Sequence, residues 1–219
     1  MPILILASAS PRRQEFLRLL GIPFRVHPAH VDETARPGER PEDLALRLSR
    51  LKAETVAREV DGIVLAADTI VVFEGRVLGK PRDEDEARAM LRALRGHWHH
   101  VHTAITLISN PQSPILQSLT PQSSISLLDT AHVLMRDYSD AEIDAYIATG
   151  DPLDKAGGYA IQHPTFRPVA RVEGCMATVM GLPVARLLPL LEDLGFLLPE
   201  DRTRACTRIF GGCCQLQSA

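Results

Sequence analysis

The sequence is short of the features that would classify it at a glance. Its four cysteines, Cys175, Cys206, Cys213 and Cys214, form no CxxC pair, and three of them fall in the last fourteen residues. That is neither a disulfide framework nor a zinc-ligand spacing, and a reduced, cytoplasmic chain is expected. No apolar run approaches the roughly 20 residues a membrane helix needs. The first apolar stretch is only Ile3 to Ala7, with no basic residue ahead of it, so no secretory signal is expected. An excess of one charge is also missing: 24 Lys and Arg stand against 27 Asp and Glu, a formal net charge of −3. Such a balance argues against broad binding to nucleic acid or to an anionic membrane, so any anion site has to be local. Neither GxxxxGK[ST] nor GxGxxG occurs, which weakens P-loop, kinase and Rossmann readings.

What is present is ordinary in bulk and unusual in places. With 219 residues, 45% hydrophobic and 23% charged, the chain can bury a full core as one large domain or two small ones. Its first unusual stretch is Ser8-Ala9-Ser10-Pro11-Arg12-Arg13, between the apolar strand Ile3–Ala7 and a helix whose inner face is Phe16, Leu17 and Leu20. Pro11 suits a first helical turn. Open backbone N–H groups at a helix start, with two hydroxyls and two arginines beside them, favour an anion. A plain helix start with surface arginines is the alternative.

Periodicity organises the rest. After a short strand at Phe24–His27 and a polar loop with Asp32 and Glu33, a helix is expected from about Pro41 to Val60. Lys52 lies on the same side as Leu44 and Leu48, so it either snorkels to solvent or reaches into a cleft. Ile63 to Phe73 reads as one apolar strand interrupted by Asp68-Thr69. A carboxylate there is unfavourable unless paired or bound to a cation, which points to function or to a strand-end bulge. Asp83 with Glu86 opens a helix that Gly96 closes, and Val101–Ile108 forms a strand. His97, His99, His100 and His102 surround that strand's start, with His100 and His102 on one face, but no carboxylate or cysteine completes a metal set by spacing. Residues 109–126 are rich in Ser, Pro and Gln and are expected to be an inserted loop. Leu127–Arg136 resumes as strand, Ser139 and Glu142 cap a helix ending at Gly150, and Asp151 to Gln162 forms a second polar patch. Val169–Val172 is a strand, Gly174–Gly181 a loop, Pro183–Leu194 a last helix, and 199–219 a flexible tail.

The outliers pool into one pattern: Arg12, Arg13, Lys52, Lys80 and Lys155 against Glu33, Asp68 and Asp154, each beside apolar core. Cations that neutralise polyphosphate, and carboxylates that hold a metal or deprotonate water, suit phosphate-ester chemistry. At this point Ala7 to Arg13, Ala67-Asp68-Thr69, Gly79-Lys80-Pro81, Asp154 to Gln162 and Val179 to Pro183, in that order, resemble the motifs of the Maf family of nucleoside triphosphate pyrophosphatases. The likeness runs from about Ile3 to Leu198, with a single domain over 1–198.

The resemblance implies an α/β fold: an elongated, twisted mixed sheet flanked by helices, like that of the ITPases, in two lobes with a central cleft. It implies hydrolysis between the α- and β-phosphates, with Asp68 as base and Glu33 assisting through metal or water. Lys52, Lys80, Arg12, Arg13 and Lys155 would meet the phosphates, with Ser8 and Ser10 adding hydrogen bonds and Asp154 at the substrate beside Lys155. A divalent cation, Mg²⁺ or Mn²⁺, and a homodimer are further expectations, with Glu33 and Asp68 as metal ligands and no nucleic-acid or membrane partner. Arg12, Thr69 and Gln162 match the branch acting on dTTP and UTP rather than the one acting on 7-methyl-GTP. A glutamine amide can both donate and accept, as the O4 and N3–H edge of uracil or thymine requires. A nucleotide-binding regulator of cell division that does no chemistry is the reading from another class. The 109–126 segment is longer than the usual connection of the family, and the tail has no counterpart in it.

Overall fold

The computed structural model of the protein describes residues 3–109 and 124–198. Three long strands form its spine: β3 (Ile63–Phe73), β5 (Trp98–Ser109) and β6 (Ser124–Met135), joined as antiparallel neighbours. Parallel to β3 on its other edge runs β1 (Leu4–Leu6), then β2 (Phe24–Val26), while β7 (Val169–Glu173) borders β6 and β4 (Arg76–Leu78) turns back on the end of β3. The result is a mixed seven-stranded sheet. At about 3.3 Å per residue, the long strands extend roughly 40 Å.

Helices cover both faces. α2 (Pro41–Ala57) lies along one face and buries Leu44, Ala45, Leu48, Ala53 and Val56 against β3 and β5. The other face carries α1 (Pro11–Leu19) and α6 (Val184–Asp193) at one end, and α3 (Glu84–Leu94) and α4 (Asp140–Ile147) at the other. Their starts follow the sequence logic. Ser139 and Glu142 complete a reciprocal capping box on α4. On α3 the Asp83 side chain accepts from the Glu86 N–H, whereas the Glu86 carboxylate reaches back one residue further, to the N–H of Arg82.

Alternation along β3 divides the core. Ile63, Leu65 and Ala67 join the cluster under α1 and α6, and Val71, on the same face, joins the cluster under α3 and α4. On the opposite face Val64 and Ala66 pack with Ala53 and Val56, and Ile70 and Val72 pack with Leu44 and Leu48. Each buried aliphatic side chain adds about 1.5–3 kcal/mol. The division falls at Asp68 and Thr69 on both faces, and it separates two lobes. On the β1 side the pairing of β3 ends at Leu6–Leu65, and β4 does not begin until Val71–Leu78. Between those two points the edge of β3 has no strand partner among the described residues, and it lies where the two lobes meet.

The structure corrects some boundaries. Ser109 belongs to β5 and Ser124 to Ser126 belong to β6, so the connection expected over 109–126 is shorter at both ends. Alternating Ser and Ile at Ser124-Ile125-Ser126 suits a half-exposed strand, and β5 supplies its ladder partners. The remainder of that connection, 110–123, and the tail from 199 lie outside the described residues. Gly174–Gly181, expected as a loop, contains the one-turn helix α5 (Met176–Val179), which buries Ala177 and Thr178.

Candidate active site

Asp68 and Thr69 are chain neighbours in a strand and so face opposite sides of the sheet. On the α2 side, the Lys52 ammonium lies 2.6 Å from Asp68 Oδ1 and 2.7 Å from Glu33 Oε1. Lys52 is 9% exposed and Asp68 6%, while the Glu33 carboxylate is open to solvent. Lys52 therefore does not snorkel. Its charge is held between one buried and one open carboxylate, which offsets the desolvation of both buried ions.

On the other face the Arg13 guanidinium donates three times: Nε to the Gly181 carbonyl at 2.8 Å, Nη1 to Ser8 Oγ at 3.1 Å and Nη2 to Thr69 Oγ1 at 3.2 Å. Burial pushes its pKa down and the Asp68 charge pushes back; an arginine stays protonated through such a shift. Thr69 bonds to Thr103 at 3.0 Å, and Thr103 donates to the Thr178 carbonyl at 2.7 Å. Ser8 Oγ also accepts from the Ser10 N–H at 3.2 Å, folding the turn before α1. Ser10 occupies the N-cap position, yet its side chain makes no capping bond and Pro11 follows it. The first N–H groups of α1 thus take no side-chain cap from Ser10. Arg12 is half-buried at the same helix start.

The second polar patch forms two short 3₁₀ turns, Asp151–Asp154 and Ala156–Gly158. Lys155 is 9% exposed, and its ammonium donates to the Asp151 carbonyl at 2.7 Å, Asp151 Oδ1 at 2.8 Å and Asp154 Oδ1 at 2.5 Å. A lysine has three N–H donors. All of them are engaged inside this loop, so Lys155 and Asp154 hold each other rather than point a free charge at the cleft. Tyr146 fixes the loop from below, donating to Asp151 Oδ2 at 2.6 Å and accepting from the Ala160 N–H at 2.9 Å. Gly157, at φ 72°, gives its N–H to the Gly79 carbonyl at 3.0 Å, tying in the segment that carries the exposed Lys80. Gln162 is exposed at the loop's far end.

The strand histidines serve the scaffold. His99 is buried, its Nε2 lies 2.7 Å from the Tyr159 hydroxyl, and burial pushes its pKa down to about 4, so it is neutral near pH 7. His102 Nδ1 meets Thr130 Oγ1 at 2.9 Å. His100 and His102 share a face, as alternation requires, with rings stacked 6.0 Å apart. Among the described residues no group of three or more His, Cys, Asp or Glu side chains is arranged to hold a metal ion. Glu33 and Asp68, however, converge on a single ammonium nitrogen. Two carboxylates are oxygen donors of the kind Mg²⁺ takes, and the point on which they converge is held here by the Lys52 ammonium.

Of the residues singled out from sequence, the fold gathers Glu33, Lys52 and Asp68 on one face and Ser8, Arg13 and Thr69 on the other. Thr103, Thr178 and Asp129, buried beside that second group, were not anticipated. Asp129 had the same signal as Asp68, a carboxylate within an apolar strand.

A sequence profile described as Maf-like protein matches residues 3–194. The chain belongs to the Maf family. This Maf protein is 48% identical over 204 residues to a dTTP/UTP pyrophosphatase of Thermomicrobium roseum, covering 91% of this chain and 88% of the relative. It is 46% identical over 201 residues to a dTTP/UTP pyrophosphatase of Anaeromyxobacter dehalogenans, covering 92% and 98%. A solved HAM1 protein from Coxiella burnetii superposes with a TM-score of 0.47 at 17% identity, over 88% of this chain and 100% of its own. A likeness at that level adds nothing to the family assignment.

Proposed function

We propose that this Maf protein hydrolyses dTTP and UTP to the monophosphate and pyrophosphate. The observation that carries the reading is the buried Asp68, held through one oxygen by Lys52 beside the open Glu33, where β3 has no partner on its β1 edge among the described residues. With Oδ1 engaged by Lys52, Oδ2 is the oxygen that takes a proton from water. That water attacks the α-phosphorus in line, the bond from the α-phosphorus to the bridging oxygen breaks, and pyrophosphate leaves on the side of the cations. The start of α1, Arg12, the two N–H groups of Arg13 left uncommitted among the described residues, and Lys80 receive the phosphate oxygens. Glu33 and Asp68 are the residues that would hold a divalent cation, Mg²⁺ or Mn²⁺, which when bound supplies charge neutralisation to the phosphates. Thr69 and Gln162 are the groups for the nucleotide's identity, with the Gln162 amide matching a pyrimidine edge that carries both a carbonyl and an N–H. A cytoplasmic homodimer completes the reading.

The test is a pyrophosphate-release screen over canonical and methylated nucleoside triphosphates, with Mg²⁺, with Mn²⁺ and with EDTA. Fastest release from dTTP and UTP, abolished by EDTA, is expected. Faster release from 7-methyl-GTP would overturn the pyrimidine assignment. No release from any nucleotide by folded protein would favour a regulator that binds without chemistry.

A further inference from the structure

Two hydroxyls and a carbonyl stand in a row beneath the Arg13 face, and both protons can be assigned from the partners alone. Thr103 Oγ1 lies 2.7 Å from the Thr178 carbonyl, which can only accept, so the one hydroxyl proton of Thr103 points there. Thr103 must then accept from Thr69, 3.0 Å away, and the one proton of Thr69 points at Thr103. What Thr69 turns toward Arg13 Nη2, at 3.2 Å, is a lone pair and never the hydroxyl proton. Thr103 and Thr178 are fully buried, so water offers neither hydroxyl another partner.

The row is anchored at its far end and closed into a ring. Ladder pairing sets Thr103 opposite both Thr69 and Asp129. Asp129, 7% exposed, accepts from the Thr178 hydroxyl, and its other oxygen lies 3.6 Å from Arg186 Nε. Three residues beyond Thr178, the Gly181 carbonyl accepts from Arg13 Nε at 2.8 Å. The path from Arg13 through Thr69, Thr103 and Thr178 therefore returns along the chain to Arg13. It has little slack: a Cβ on Gly181, at φ +95°, would lie 3.0 Å from Thr69 Oγ1.

We propose that Thr103 is a positioning residue for the phosphate site: by fixing Thr69 as an acceptor, it sets the direction in which Arg13 presents its remaining N–H groups. For its activity arm this rests on the pyrophosphatase reading; for its binding arm it needs only an anion at Arg13. Thr103→Val keeps the shape and removes the hydroxyl, whereas Thr103→Ser keeps the hydroxyl and removes a methyl.

The experiment measures kcat and KM with dTTP, the Kd of inorganic pyrophosphate by calorimetry, and Tm, for the parent and both variants. Thr103→Val is expected to raise KM and the pyrophosphate Kd about tenfold, with kcat changed much less, because orientation of a ground-state contact is lost. Thr103→Ser should stay near the parent. A folded Thr103→Val with both constants within about twofold of the parent would overturn the proposal, as would equal impairment by Thr103→Ser, which would assign the effect to packing. Should Thr103→Val fail to fold, Thr69→Val, which removes the acceptor facing Arg13, must show the same pyrophosphate loss, and unchanged binding overturns the proposal. Absence of dTTP turnover in the parent counts against the pyrophosphatase reading alone, and the calorimetric arm still decides this one. A parent that does not bind pyrophosphate overturns it outright.

Discussion

Asp68-Thr69 in β3 follows Ala66-Ala67, and Asp129-Thr130 in β6 follows Leu127-Leu128. The two strands thus carry the same dipeptide in the same apolar setting. The ladder sets Ala104 opposite Asp68 but Thr103 opposite Asp129, so the carboxylates emerge on opposite faces. Asp68 meets the ammonium of Lys52 and, through it, a solvent-facing glutamate; Asp129 meets a buried hydroxyl and a largely exposed arginine. A register difference of one residue therefore separates a carboxylate paired with a lysine beside a solvent-facing glutamate from one that holds a segment down.

That contrast can be broken at three points. The largest effect belongs to Asp68→Asn, expected to lower kcat about 10³-fold while the amide oxygen still accepts from Lys52 and Tm stays near the parent's. Turnover within a few-fold of the parent, in folded protein, would remove Asp68 as the base. Next is Asp129→Ala, which strips the buried Thr178 hydroxyl of its acceptor and should destabilise the fold by about 2 kcal/mol in denaturant titration. Its kcat should survive. Loss of kcat as complete as that of Asp68→Asn would erase the distinction between the two aspartates. The smallest effect is expected of Arg186→Gln: its side chain is 60% exposed and 3.6 Å from the carboxylate, so stability should move by less than about 0.5 kcal/mol. A larger change would mean that Asp129 depends on an ion pair rather than on Thr178.

Much of this arrangement was legible in the residues, for local reasons. The bounds of β3 follow from an apolar run broken only by Asp68-Thr69, Lys52 shares its helix side with Leu44 and Leu48, and the capping pair of α4 is a short-range signal. Other parts depend on contacts distant in sequence. α5 is a single turn, too short to be stable on its own, and it exists because Ala177 and Thr178 are buried by other elements. A threonine in a strand is unremarkable until its register is known, so Thr103 could not be distinguished. Lys155, beside two glycines, read as a cation for phosphate because the acceptors surrounding its ammonium are set by the fold of the turns. Asp129 was the avoidable omission, since the reasoning that selected Asp68 applied to it unchanged.

The closed set of bonds around Lys155 also leaves its loop with no free positive charge. The carboxylates of Asp151 and Asp154 surround one ammonium, so the segment from 151 to 155 carries a net negative charge, as its two aspartates and one lysine require. A polyanion nearing the cleft is repelled from this rim and drawn toward Arg12, Arg13 and Lys80. On the proposed reading the rim that carries Gln162 is thereby left to the uncharged end of the nucleotide, whose orientation the charge of the two rims sets before any specific contact forms.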